Sequence, residues 1–234
     1  MPVDTPEPPS RSRSTYRHGN LRHALVEAAL ELARTGGPDA VVLREVTRRV
    51  GVAPNAAYRH FADRHALLAA VAQAAMARLA ADMETEIGAA TAHPADDADR
   101  LAAARARFRA VGRGYVAFAQ AEPGLFRIAF TFHADMARAE DSTAAGPAGR
   151  TPFQILGDAL DGLVDAGALD ESRRPGAEFL AWSAVHGLAA LLVDGPLRGL
   201  TPAQARASTD DLVDMIEHGL HRPPTTDDHP HTDG

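Results

Sequence analysis

Hydrophobic positions recur along this chain at intervals of three and four rather than two, the period of helices that bury one face. Leu21, Leu25, Ala28 and Leu32 share a face of a first helix that Asn20 caps and that Gly36-Gly37-Pro38 ends after about residue 35. A second helix fits residues 43–50. Gly51 then suits a left-handed closing position, and Pro54 opens a third helix, 54–61, at the position where its missing N–H costs nothing. Asp63 can cap a long fourth helix reaching about residue 87. A fifth spans 97–120, with Leu101, Ala104, Phe108, Val111, Tyr115 and Phe118 on one face and Arg105, Arg109 and Arg113 on another, read as a solvated face. Pro123 precedes a sixth helix, 124–134, and further helices fit 152–166, 176–193 and 202–220. Residues 137–150 have no period and read as a mobile loop.

The helix within 179–193 is apolar on every side, with only Ser183 and His186 polar, so it should be buried on every side. It is too short for a membrane span, which needs about twenty such residues. It therefore belongs at the centre of a core or of an oligomer interface. Leu212, Val213, Ile216 and Leu220 form a matching stripe on the next helix. Two helices from each of two copies can make a four-helix interface, with Phe179, Trp182, Val185, His186, Ala189 and Leu192 on the first.

Composition adds that the fold is all-α. Aromatic residues are 5% of the 234 and alanine abounds, which favours helices over strands, while 45% hydrophobic content suffices for a core. The absence of cysteine excludes thiol chemistry, disulfides and cysteine-ligated zinc. The opening MPVDTPEPPSRSRS lacks the apolar core of a secretory signal. Charge is strongly divided. Ten arginines face five acids between Arg11 and His65, a surplus of five inside a net charge of −7, so the remainder sums to −12. That division describes a basic module for a polyanion joined to an acidic body.

Chemistry narrows the choice further. No H-E-x-x-H, G-x-S-x-G or phosphate-cradling glycine loop is present, and Ser183 with His186 lacks a nearby acid, so neither an enzyme nor a metal or cofactor site is expected. The short helices on either side of Gly51 suit a helix-turn-helix. Small residues at the start of the second let it approach base edges, where Asn55 can meet an adenine and the Ala56 methyl a thymine methyl. Tyr58, Arg59, His60 and Arg64 can then reach phosphates.

The run AALELARTGGPDAVVLREVTRRVGVAPNAAYRHFADRHALLAAVA resembles the N-terminal domain of the TetR family of repressors. The resemblance implies DNA contact by Arg44, Pro54, Asn55, Ala56, Tyr58, Arg59, His60 and Arg64, the last standing where the family usually has lysine. Val42 and Ala53 replace hydroxyl caps, weakening each helix start by about 1 kcal/mol, and Ala57 replaces a larger aliphatic residue. Trp182-Ser183-Ala184-Val185-His186-Gly187 and residues 114–130 resemble the body of one subgroup.

The implied organisation is a disordered basic arm (1–17), a DNA-binding domain (18–63), a helical effector-binding and dimerisation body (64–221) and a disordered tail (222–234). The implied protein is a cytoplasmic homodimeric repressor that reads an inverted-repeat operator in double-stranded DNA, needs no membrane and is released by a small, mainly apolar effector. Phe126, Phe130 and His133 on one helix face, with Phe108, Tyr115 and Trp182, are the candidate pocket walls. A helical ligand-binding module without DNA binding is the alternative, and an enzyme a more distant one.

Overall fold

The computed structural model of the chain describes residues 18–90, 97–132 and 141–221, and every regular element among them is helical. The α-helices are α1 (His18–Ala40), α2 (Leu43–Val50), α3 (Pro54–Tyr58), α4 (Arg64–Ala90), α5 (Asp97–Ala121), α6 (Pro123–Thr131), α7 (Pro152–Asp165), α8 (Ala177–Val193) and α9 (Pro202–His221). The expected disordered ends, 1–17 and 222–234, lie outside the described residues.

A small head comes first. In α1 the helical path breaks at Gly37, whose φ of 62° and ψ of −159° turn the chain toward α2. Val41, Val46, Ala57, Phe61 and Leu67 are buried together and lock α1, α2, α3 and the start of α4 into one unit. The third helix is shorter than its sequence suggests. After Tyr58 the amides of His60 and Phe61 both return to the Ala57 carbonyl at 2.9 Å, a tight turn that delivers Phe61 into the core.

The body is built around α4, which packs on α1, α5, α6 and α7. Among the described helices it is the one long and apolar enough to cross a membrane, yet half of that stretch is buried inside the protein, as expected of a central core helix. Its start is capped by Asp63, whose Oδ1 accepts from the Ala66 amide at 2.8 Å. Helix α6 presses on α1 so closely that a Cβ on Gly124 would lie 2.0 Å from the Ala33 carbonyl oxygen, so only glycine fits there.

Two expectations are corrected. Residues 141–150 form a fixed strap rather than a mobile loop. Asp141 accepts from the Thr143 amide at 2.9 Å to start a short turn, Ala144 is buried, and the Ala148 amide donates to Glu84 of α4 at 3.2 Å. Residues 133–140 lie outside the described residues. The α5 arginines are not merely solvated either. Arg105 donates to Glu217 at 2.5 Å, Arg109 to Asp214 at 2.6 Å and Arg113 to Asp210 at 2.5 Å. These three pairs run antiparallel along α5 and α9 and set the register of the last helix. Arg113 holds the Asp210 carboxyl below the usual carboxylate range.

Candidate nucleic-acid interface and ligand cavity

The head presents its polar face through a turn that only a few residue types permit. Gly51 sits at φ 77° and ψ 32°, the left-handed region that glycine enters without steric cost, and the Val52 amide closes onto the Thr47 carbonyl at 3.0 Å. Neither Val42 nor Ala53 supplies a side-chain cap. With Ala57 turned inward, α3 leaves Pro54, Asn55, Tyr58 and Arg59 exposed, with Ala56 and His60 half-buried beside them. Tyr58 is 55% exposed, so its ring is not part of the head's core.

The arginines of this face divide into free and engaged. Arg48 forms a two-pronged pair with Glu45 at 2.8 and 2.7 Å, and holds that carboxyl below the usual carboxylate range. Among the described residues no ion pair or hydrogen bond engages the guanidinium group of Arg44 or Arg59. Arg64, expected at a phosphate, is engaged within the protein. Its Nε donates to the Val41 carbonyl at 2.7 Å and its Nη2 to the Pro38 carbonyl at 2.5 Å, so the side chain folds back and ties α4 to the α1–α2 junction. Those carbonyls follow the backbone break at Gly37 and lie 23 and 26 residues before Arg64, so sequence spacing does not announce the contact.

The body contains a partly open cavity of about 240 Å³. Helix α5 contributes Phe108, Val111 and Tyr115, α6 contributes Phe130, and α8 contributes Ala181, Trp182 and Val185. Sequence reasoning missed Met76, Leu79 and Met83 of α4 and Phe153 and Leu156 of α7. Their spacing was visible, but a residue that lines a void and one that fills a core carry the same apolar signal. Of the expected walls, Phe126 lies behind the cavity, its ring 5.0 Å from Phe130 and 6.1 Å from Tyr115. His133 lies outside the described residues.

Two polar side-chain groups stand in that wall, and a third backs them. Trp182 Nε1 donates to Tyr115 Oη at 3.2 Å, and Tyr115 Oη lies 2.8 Å from His186 Nδ1. Burial raises the Tyr115 pKa and lowers that of His186, so the phenol keeps its proton and the imidazole is neutral. Phe130 packs edge-on to His186 at 4.6 Å, closing the aromatic cluster.

The outer face of α8 and α9 is less buried than an all-round apolar helix should be. Phe179 is 52% exposed, Leu180 65%, Leu191 44% and, on α9, Met215 71%. Of the residues expected at an interface, Phe179 is on this face and Trp182, His186, Leu212 and Ile216 are half-buried. Val185, Ala189, Leu192, Val213 and Leu220 are buried against the chain's own core, so most of the expected stripe turns inward within the single chain. The apolar periodicity did not reveal which side α5 would cover.

Residues 25–71 match the family described as bacterial regulatory proteins, tetR family, and residues 108–216 match the tetracyclin repressor-like C-terminal domain. No curated protein matches the chain. Solved structures do. A protein of unknown function from Rhodococcus sp. RHA1 is 29% identical with a TM-score of 0.67, over 90% of this chain and all of that one. A TetR from Acinetobacter baumannii AYE in complex with minocycline is 19% identical, TM-score 0.57, over 90% of this chain and 98% of its own. The transcriptional regulator SCO7222, a TetR from Streptomyces coelicolor, is 21% identical, TM-score 0.52, over 86% and 99%.

Proposed function

Because this chain belongs to the TetR family of transcription regulators, we propose that it is a cytoplasmic homodimeric repressor that binds an inverted-repeat operator and leaves it when a small, mainly apolar ligand fills the body. The observation that carries this reading is the pairing, in one chain, of an exposed recognition face, on which the guanidinium groups of Arg44 and Arg59 have no partner among the described residues, with an apolar cavity about helices that touch the head. Asn55 and Ala56 are assigned to base edges, and Arg44, Tyr58, Arg59 and His60 to phosphates. Arg64 is assigned to positioning the head. No catalytic step is part of the reading.

Coupling follows from two helices. At one end α4 is tied to the head by Arg64, and further along it walls the cavity with Met76, Leu79 and Met83. Helix α6 offers Phe130 to the cavity and Gly124 to α1, while Arg34 donates to Glu122 at 3.1 Å at the same junction. A ligand that prefers a wider cavity moves both helices and changes the spacing of the two heads, and by linkage DNA and ligand oppose each other. The exposed side chains Leu180, Leu191 and Met215 support pairing through α8 and α9, since exposing several hundred Å² of apolar surface costs on the order of 10 kcal/mol.

The test is a titration of the purified protein against DNA from upstream of its own gene. A specific complex that weakens steeply with salt is expected, with footprints in successive major grooves on one face. Absence of any specific complex at low salt would leave the module without DNA binding as the reading.

A further inference from the structure

We infer that the cavity takes an uncharged molecule of one or two aromatic rings bearing a hydroxyl group, which hydrogen-bonds to Tyr115. This inference rests on the ligand-binding role given to the cavity above and narrows the class of ligand. Size sets the first limit. An apolar protein cavity of on the order of 150 Å³ holds benzene, so about 240 Å³ holds one or two rings and little more.

Charge sets the second. Among the described residues no Asp, Glu, Lys, Arg or His lines the cavity, so a carboxylate or ammonium entering it loses its water and gains no counter-charge. Carboxylates and alkylammonium ions are thereby excluded.

Hydrogen bonding sets the third. The Tyr115 oxygen accepts from Trp182 and shares one hydrogen with His186 Nδ1. If the phenol donates to Nδ1, its second lone pair remains for a donor; if Nδ1 donates to the phenol, the phenolic hydrogen remains for an acceptor. A hydroxyl fits both arrangements, because it donates and accepts. A ketone or an ether fits only the second.

Calorimetric titration of the full-length protein at pH 7 with 2-naphthol, naphthalene and 2-naphthoate tests this. The expected order is 2-naphthol about tenfold tighter than naphthalene, as one hydrogen bond provides, with 2-naphthoate at least a hundredfold weaker than 2-naphthol. Tyr115→Phe should bind naphthol and naphthalene alike. Failure of all three to bind wild type, naphthoate equal to naphthol, or a naphthol preference surviving Tyr115→Phe would overturn the inference. The wild-type order decides even if the variant fails to fold. Operator binding in the same samples separates the two readings. Naphthol bound with the operator complex unchanged removes the effector role and leaves the ligand class standing, whereas naphthol failing to bind a protein that still forms the operator complex does the reverse.

Discussion

Arg44 and Arg59 stand on the head without a protein partner among the described residues, whereas Arg105, Arg109 and Arg113 on the body each hold an acid of α9. In sequence the two sets look alike, exposed arginines on regular helices. The difference lies in what the fold brings opposite them. A charge left unpaired at low dielectric cost is available to a polyanion; a charge already matched is part of the scaffold. Arg64 falls between, in the head but bonded to carbonyls.

The strongest way to break this division is to remove both free arginines. Arg44→Ala with Arg59→Ala should cost operator affinity at least a hundredfold and lower the salt slope by about two units, with the thermal midpoint unchanged, as fluorescence anisotropy and melting curves will read. Retained affinity would show that these arginines do not meet phosphate. Arg64→Ala should weaken binding roughly tenfold, the scale of a lost charge-assisted hydrogen bond, and leave the salt slope as it is. A slope reduced by one unit would return Arg64 to the phosphate-contacting set.

Smaller effects come from the body. Arg105→Ala uncovers no DNA contact but leaves Glu217, whose side chain is 6% exposed, without its partner. A stability loss of about 1 kcal/mol is expected, the upper end for pairs with an exposed member, with operator affinity per folded dimer unchanged. Arg113→Ala should give the smallest change, and one that depends on pH. The folded Asp210 carboxyl is held below its ordinary value by Arg113, so the pair stabilises fully above about pH 4 and loses its contribution as pH falls through the depressed value. Denaturant unfolding should therefore show the wild-type advantage at pH 7 shrinking below about pH 4. An advantage constant down to pH 3 would assign it to packing of the arginine stem.

Local signals were the legible ones. The end of α2, the Gly51 turn and the outward side of α3 follow from left-handed glycine, proline at the first helical position and a 3.6-residue period, all of which act within a few residues. The partners of the α5 arginines, the strap over α4 and the covered side of α8 depend on contacts between distant segments. The carbonyls that capture Arg64 lie 23 and 26 residues away, and the acid that captures Arg105 lies 112 away. The cavity was legible in its aromatic residues and not in its aliphatic ones. Tyr115 and Trp182 carry polar atoms that need partners, while Leu79 and Leu156 look the same whether a void or another leucine faces them.

The pairing of α5 with α9 also orders events during synthesis. The head closes through contacts among neighbouring segments and can form as soon as it leaves the ribosome, while α5 emerges with its arginines unmatched and must wait about a hundred residues for Asp210, Asp214 and Glu217. The last-made helix completes the cavity wall with Val213 and the outer face with Met215. A nascent chain can thus close the core of its reading head before α6 docks on α1 and α9 closes the body.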